Sequence, residues 1–91
     1  MRLDKYLKIT RILKRRTQAK ELCDEGRIFI NDRVAKASSS VRIGQVITVD
    51  FKRRKVVFEV LDVPEKNVRK NEVGDLYRIL KVEEKEYDDE I

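Results

Sequence analysis

The chain has 91 residues, 43% of them charged and 41% apolar, with a net charge of +5 at pH 7. That length sets one small domain, with apolar content enough for a folded core rather than a disordered chain. One cysteine, no histidine and no tryptophan exclude an internal disulfide and a clustered Cys/His zinc site. Nor does the sequence hold a Gly-rich phosphate loop or a histidine base, so catalysis is not expected. Every stretch long enough to cross a bilayer carries several charges, so the expected location is the cytosol.

Residues 3–9 are predicted to form a short helix. Leu3, Tyr6 and Leu7 share one stripe, and Arg2, Lys5 and Lys8 fall on the opposite side. Asp4, in the first turn, suits the positive end of the helix dipole and can pair with a nearby arginine. Residues 17–25 are predicted as a second helix, with Thr17 as its cap, Gly26 as its left-handed terminator, and Ala19, Leu22 and Cys23 on one face. Cys23 therefore reads as a small buried hydrophobe. The connection holds Ile12 and Leu13 as core anchors. It also holds the cations Lys14, Arg15 and Arg16, placed beside the open N–H groups of a helix start, which is a setting for phosphate.

After Gly26 the apolar period drops to two. Residues 27–30 read as a strand, Asn31 and Asp32 as a turn, and Val34 as the return. Gly44 marks another turn, residues 46–50 a strand, residues 52–55 a basic hairpin tip, and residues 56–61 a strand that ends before Pro64. Val73, Leu76, Tyr77 and Leu80 fit helical spacing, so residues 63–82 are expected to form a carboxy-terminal helical extension to a domain spanning 1–62. Residues 83–91, strongly acidic, are expected to be a disordered tail. The fold class is α+β: two packed amino-terminal helices against a small, mostly antiparallel sheet, with a short carboxy-terminal helix.

Charge is unevenly spread. Residues 1–60 balance to +9 and residues 61–91 to −4, and residues 1–20 alone hold eight Lys and Arg against Asp4. A basic face on a small domain points to a polyanion, most often nucleic acid. The candidate contacts are Arg2, Lys5, Lys8, Arg11, Lys14, Arg15, Arg16, Lys20 and Lys36. Arg2 and Arg16 stand first because a guanidinium grips phosphate with two parallel bonds. No buried partner is expected for either, so replacing them with alanine is expected to leave thermal stability nearly unchanged. DNA is disfavoured by the lack of a recognition helix of adequate length.

Several segments, in order, resemble the S-four-type RNA-binding domain first recognised in a small-subunit ribosomal protein. They are Arg2-Leu-Asp-Lys-Tyr-Leu7, Arg16-Thr-Gln-Ala-Lys-Glu-Leu22, Gly26-Arg-Ile-Phe-Ile-Asn31, and Val34-Ala-Lys-Ala-Ser38 followed by Val41 and Gly44. Two positions depart from the family pattern, Asp32 for a usual Gly and Gln45 for a usual Asp; both bear on turn geometry. Some family members carry this domain beside a catalytic one, and none is expected here. The opening run through Lys8, then 14–17, 19–21, and Tyr77 with 79–81, is similar to the stand-alone RqcP-like proteins, related to the fifteen-kilodalton heat-shock protein. That resemblance implies binding to obstructed large ribosomal subunits, contact with 23S rRNA and the P-site tRNA, cooperation with an RqcH-like tailing factor, and alanine tailing of stalled chains. No cofactor is implied, and the protein is expected to be monomeric off the ribosome. Alternatives of the same composition are a ribosome-assembly or tRNA-handling factor, or a protein-interaction adaptor.

Overall fold

A computed structural model describes residues 1–64 and 69–84. Two helices, α1 (Leu3–Ile9) and α2 (Arg16–Asp24), precede strands β1 (Ile28–Ile30), β2 (Arg33–Val34), β3 (Val46–Asp50), β4 (Arg54–Val60) and β5 (Tyr77–Glu84). The sheet runs in the order β2-β1-β3-β4-β5, and each neighbouring pair is antiparallel.

The apolar stripe of α1 does what its spacing requires: Leu3, Tyr6 and Leu7 are fully buried. Ala19 and Cys23 bring α2 against them, and the small alanine permits close approach. Alternation on β3 and β4 aims Ile47, Val49, Val56, Phe58 and Val60 at the same core. Burying each large side chain of this kind is worth about 1.5–3 kcal/mol. The Tyr6 and Phe58 rings stack with centroids 6.4 Å apart, and Tyr77 meets Phe58 edge-on at 5.6 Å. The Tyr6 hydroxyl donates to the Leu76 carbonyl at 2.6 Å, across 70 positions of chain.

Helix ends follow backbone physics. Gly26 sits at φ +73°, and the N–H groups of Gly26 and Arg27 return to the carbonyls of Cys23 and Leu22, closing α2. Arg11 plays the same part after α1 at φ +63°, a conformation in which a side chain costs more than glycine does. Thr17 is not the cap of α2: it lies inside the helix, Arg15 is the flanking residue, and no side chain caps the first turn. The amide oxygen of Gln18 instead accepts the Lys14 N–H at 3.2 Å.

The departures at the turns leave the turns intact. Asn31 and Asp32, at φ +49° and +69°, form the two-residue link between Ile30 and Arg33. Asn31 Oδ1 also accepts the Val46 N–H at 2.9 Å, tying the hairpin to β3. Gln45 Oε1 accepts the Arg42 N–H at 2.8 Å and so closes the loop before β3 around Gly44, at φ +92°.

The expected carboxy-terminal helix is replaced by a short 3-10 turn, Lys70–Asp75, and by β5, which pairs with β4 from Val60–Tyr77 to Arg54–Glu84. Val73 and Leu76 are buried, as an apolar stripe demands, but by the 3-10 turn and its end; Leu80 is 48% exposed. A register shift beside Val57 and Phe58 leaves Leu80 without an opposite residue. Of the acidic segment expected to be disordered, Glu83 and Glu84 belong to β5, and residues 85–91 lie outside the described residues.

Candidate nucleic-acid interface

Asp4 organises the basic end of the molecule. It is 5% exposed at the start of α1, and both leading arginines converge on it. Arg2 donates from Nε to Oδ1 at 3.2 Å and from Nη2 to Oδ2 at 3.1 Å; Arg16 donates from Nη2 to both oxygens at 3.2 Å. Burial opposes charge on the carboxylate, but these hydrogen bonds and the two positive charges outweigh it and hold Asp4 below the ordinary carboxylate range. The expectation that Arg2 and Arg16 lack a buried partner is therefore wrong. Twelve residues of loop and helix separate Asp4 from Arg16, and only the packing of α1 on α2 brings them together.

Both arginines still face solvent, with side chains 55% and 47% exposed. Arg2 spends its Nε–Nη2 edge on Asp4 and keeps Nη1, whereas Arg16 spends one nitrogen and keeps Nε and Nη1. The carboxylate thus fixes two guanidinium groups side by side with donors to spare.

Around them the structure divides the nine candidates. Lys5, Lys8, Arg11, Lys14 and Arg16 line one open groove of about 810 Å³ between α1 and the start of α2. On α1, Lys5 and Lys8 are one turn apart, and Arg11 continues the row where the helix ends. Arg2, Lys20 and Lys36 border a second depression, across Asp4, with Cys23 and Asp24. Lys20 is paired there with Asp24 at 3.0 Å. Arg15 is exposed, flanks the uncapped start of α2 and lines neither. Among the described residues, Lys5, Lys8, Arg11, Lys14, Arg15 and Lys36 have no side-chain ion pair or hydrogen bond, so six cations are uncommitted.

Two residues outside the candidate set belong to the same region. Phe51 and Arg54 meet at the β3–β4 tip, the Arg54 guanidinium carbon 5.6 Å from the ring centroid. The signal in the sequence was an aromatic adjoining a basic run. Cys23 is buried, and burial, together with Asp24 and Asp4, pushes its thiol up to about 11. Among the described residues there is no cluster of metal-ligating side chains, and no helix is long and apolar enough to cross a membrane.

Comparison with known proteins bears on the family and the fold. The S4 domain family profile matches residues 1–47, which hold α1, α2, β1 and β2. The "RQC P-site tRNA stabilizing factor" of Halalkalibacterium halodurans is 47% identical over 83 residues, 91% of this chain and 93% of that protein. The protein of the same name from Bacillus subtilis is 48% identical over 83 residues, 91% of this chain and 95% of that one. Heat Shock Protein 15 of Vibrio cholerae, described as trimeric, superposes with a TM-score of 0.78 at 30% identity, covering 87% of this chain and 80% of that chain. With a fold, an ordered set of motifs and near full-length relatives in agreement, this chain belongs to the S4 domain family.

Proposed function

We propose that this chain is a non-catalytic RNA-binding factor of ribosome-associated quality control. In this reading it works in the cytoplasm on obstructed large ribosomal subunits, contacts 23S rRNA and the P-site tRNA, and acts beside an RqcH-like factor that adds alanine to the stalled chain. It needs no cofactor and is monomeric off the ribosome. The observation that carries the reading is the row of uncommitted cations along the α1–α2 groove, beside two guanidinium groups locked in place by Asp4. Such a surface reads phosphate and shape with little base discrimination, which suits folded RNA, whose deep groove excludes side chains. The relatives' name, a stabiliser of P-site tRNA, supports tRNA on the ribosome as that RNA.

Sedimentation of cell extracts on a sucrose gradient tests the whole reading. The protein is expected with free large subunits that carry peptidyl-tRNA, and Lys8→Glu combined with Lys14→Glu should shift it to the top of the gradient. Sedimentation with immature subunits lacking tRNA would make it an assembly factor instead. With purified RNA, six phosphate contacts predict a log–log salt slope of about −4 to −5, and affinity that stays flat with salt would refute the electrostatic groove. Asp88→Ala with Asp89→Ala is the control and should not weaken binding.

A further inference from the structure

On the reading that the groove binds RNA, we propose a second subsite: a pocket at the open edge of the sheet that takes one unstacked nucleobase of the bound strand. Phe51, Ile12, Ile79 and Val82 line a depression of about 260 Å³, together with Arg11 and Arg54. Ile79 and Val82 pair across β4 with Phe58 and Val56, so they face the core side of the sheet. Yet they are 45% and 51% exposed: among the described residues the α1–α2 connection lines this depression with Arg11 and Ile12 alone. Exposed apolar side chains gathered at one spot mark a place where something docks.

Chemistry selects a base as the occupant. Among the described residues, both charged residues lining the pocket are arginines and no carboxylate lines it. Arg54 lies against the Phe51 ring, so the pocket offers an aromatic surface and a guanidinium plane, the two platforms on which splayed-out bases stack. Arg11 lines both this pocket and the phosphate groove, so a strand gripped in the groove passes the pocket mouth without a gap. A protein strand adding to the edge of β5 is the poorer fit. The register shift at Leu80 breaks the regular ladder in mid-strand, which is how sheets guard an edge against such pairing.

The test compares two fluorescent strands of equal charge, a twelve-nucleotide oligouridine RNA and its abasic ribose-phosphate counterpart, titrated against the full chain. The protein should bind the base-bearing strand about 5- to 100-fold more tightly. Phe51→Leu, which keeps an apolar side chain but removes the π face, should erase most of that preference and leave abasic binding unchanged. An oligouridine carrying one 5-iodouracil should photocrosslink to the peptide holding Phe51. Equal binding of both strands overturns the subsite while the groove stands. A preference that Phe51→Leu does not touch, or a loss shared by both strands, also overturns it. If both strands bind equally and both bind more tightly once residues 85–91 are deleted, the pocket belongs to the chain's own acidic segment. Failure to bind either strand while folded tRNA still binds overturns the subsite alone, and failure to bind tRNA as well removes the RNA-binding reading itself.

Discussion

Removing both arginines that hold Asp4 should destabilise the protein by more than the two single losses together. Either single variant leaves the buried carboxylate one partner. The lost contacts are charge-assisted but long, and the arginine side chains are about half exposed, so Arg2→Ala and Arg16→Ala should each cost about 1 kcal/mol. With both gone, Asp4, 5% exposed while the arginines cover it, has no hydrogen-bond donor from these side chains; a buried unpaired charge costs about 3–5 kcal/mol, and solvent entering where the guanidinium groups stood brings the cost toward the lower end. The excess over additivity is thus about 1–3 kcal/mol, and each kcal/mol corresponds to roughly 4–8 °C in a domain of this size. Urea unfolding followed by circular dichroism at pH 7 and at pH 3 supplies the second signature. In the native protein the Asp4 carboxyl is depressed below its unfolded value. Its contribution is therefore present above about pH 4 and is lost as pH falls through the lower folded value. In the double variant burial acts alone and raises it, so protonation brings relief. The gap between native and double variant should narrow from pH 7 to pH 3, and Asp4→Asn in the double background should recover part of the loss. Additive losses with a gap independent of pH would refute the buried-carboxylate account.

Arg11→Gly should separate binding from stability: it relieves φ +63° and raises stability by about 0.5–1 kcal/mol, while deleting a groove cation and weakening RNA binding severalfold in a filter assay. Asp32→Gly relieves φ +69° in the β1–β2 link and should raise the melting temperature by a few degrees, measured by calorimetry, with RNA affinity unchanged. Cys23, buried with its thiol pushed up to about 11, should react with a maleimide at pH 7.5 far more slowly in native protein than in urea. Cys23→Ala should leave RNA affinity intact, and rapid native labelling would show that the face of α2 carrying it is not packed into the core.

What the sequence disclosed depended on how local the determining physics was. The stripe of Leu3, Tyr6 and Leu7, the terminator Gly26 and the Asn31–Asp32 turn are settled within a few residues, and each appears where its pattern places it. The helix expected through Val73, Leu76, Tyr77 and Leu80 failed because two unrelated events mimic one period. A 3-10 turn and its end bury Val73 and Leu76, and a bulge then displaces Leu80, hiding the alternation of Tyr77, Ile79 and Val82 in β5. The basic residues of the site were legible as a cluster, but not their division of labour. Whether an arginine is free or already paired depends on distances across the helix pair, and the Asp4–Arg16 contact carries no mark in sequence spacing. Phe51 was passed over for the same reason, since its neighbours Ile12, Ile79 and Val82 arrive from two distant parts of the chain, the α1–α2 connection and β5.

The bond from the Tyr6 hydroxyl to the Leu76 carbonyl bears on how the molecule is made. That carbonyl also receives the N–H groups of Leu61 and Asp62, so it is the knot where the late chain closes on the first helix. At a translation rate of about 5–20 residues per second, the amino-terminal helix is synthesised roughly 3–14 s before its acceptor exists. For the first part of that interval Tyr6 also lacks Phe58, and α1 lacks residues 37–41, whose carbonyls and N–H groups stitch Met1, Leu3 and Asp4 in place. The groove is therefore encoded first and completed last. A nascent copy lacks this last tie until residue 76 has been polymerised, so the helix that carries Lys5 and Lys8 reaches its final anchorage only late in synthesis.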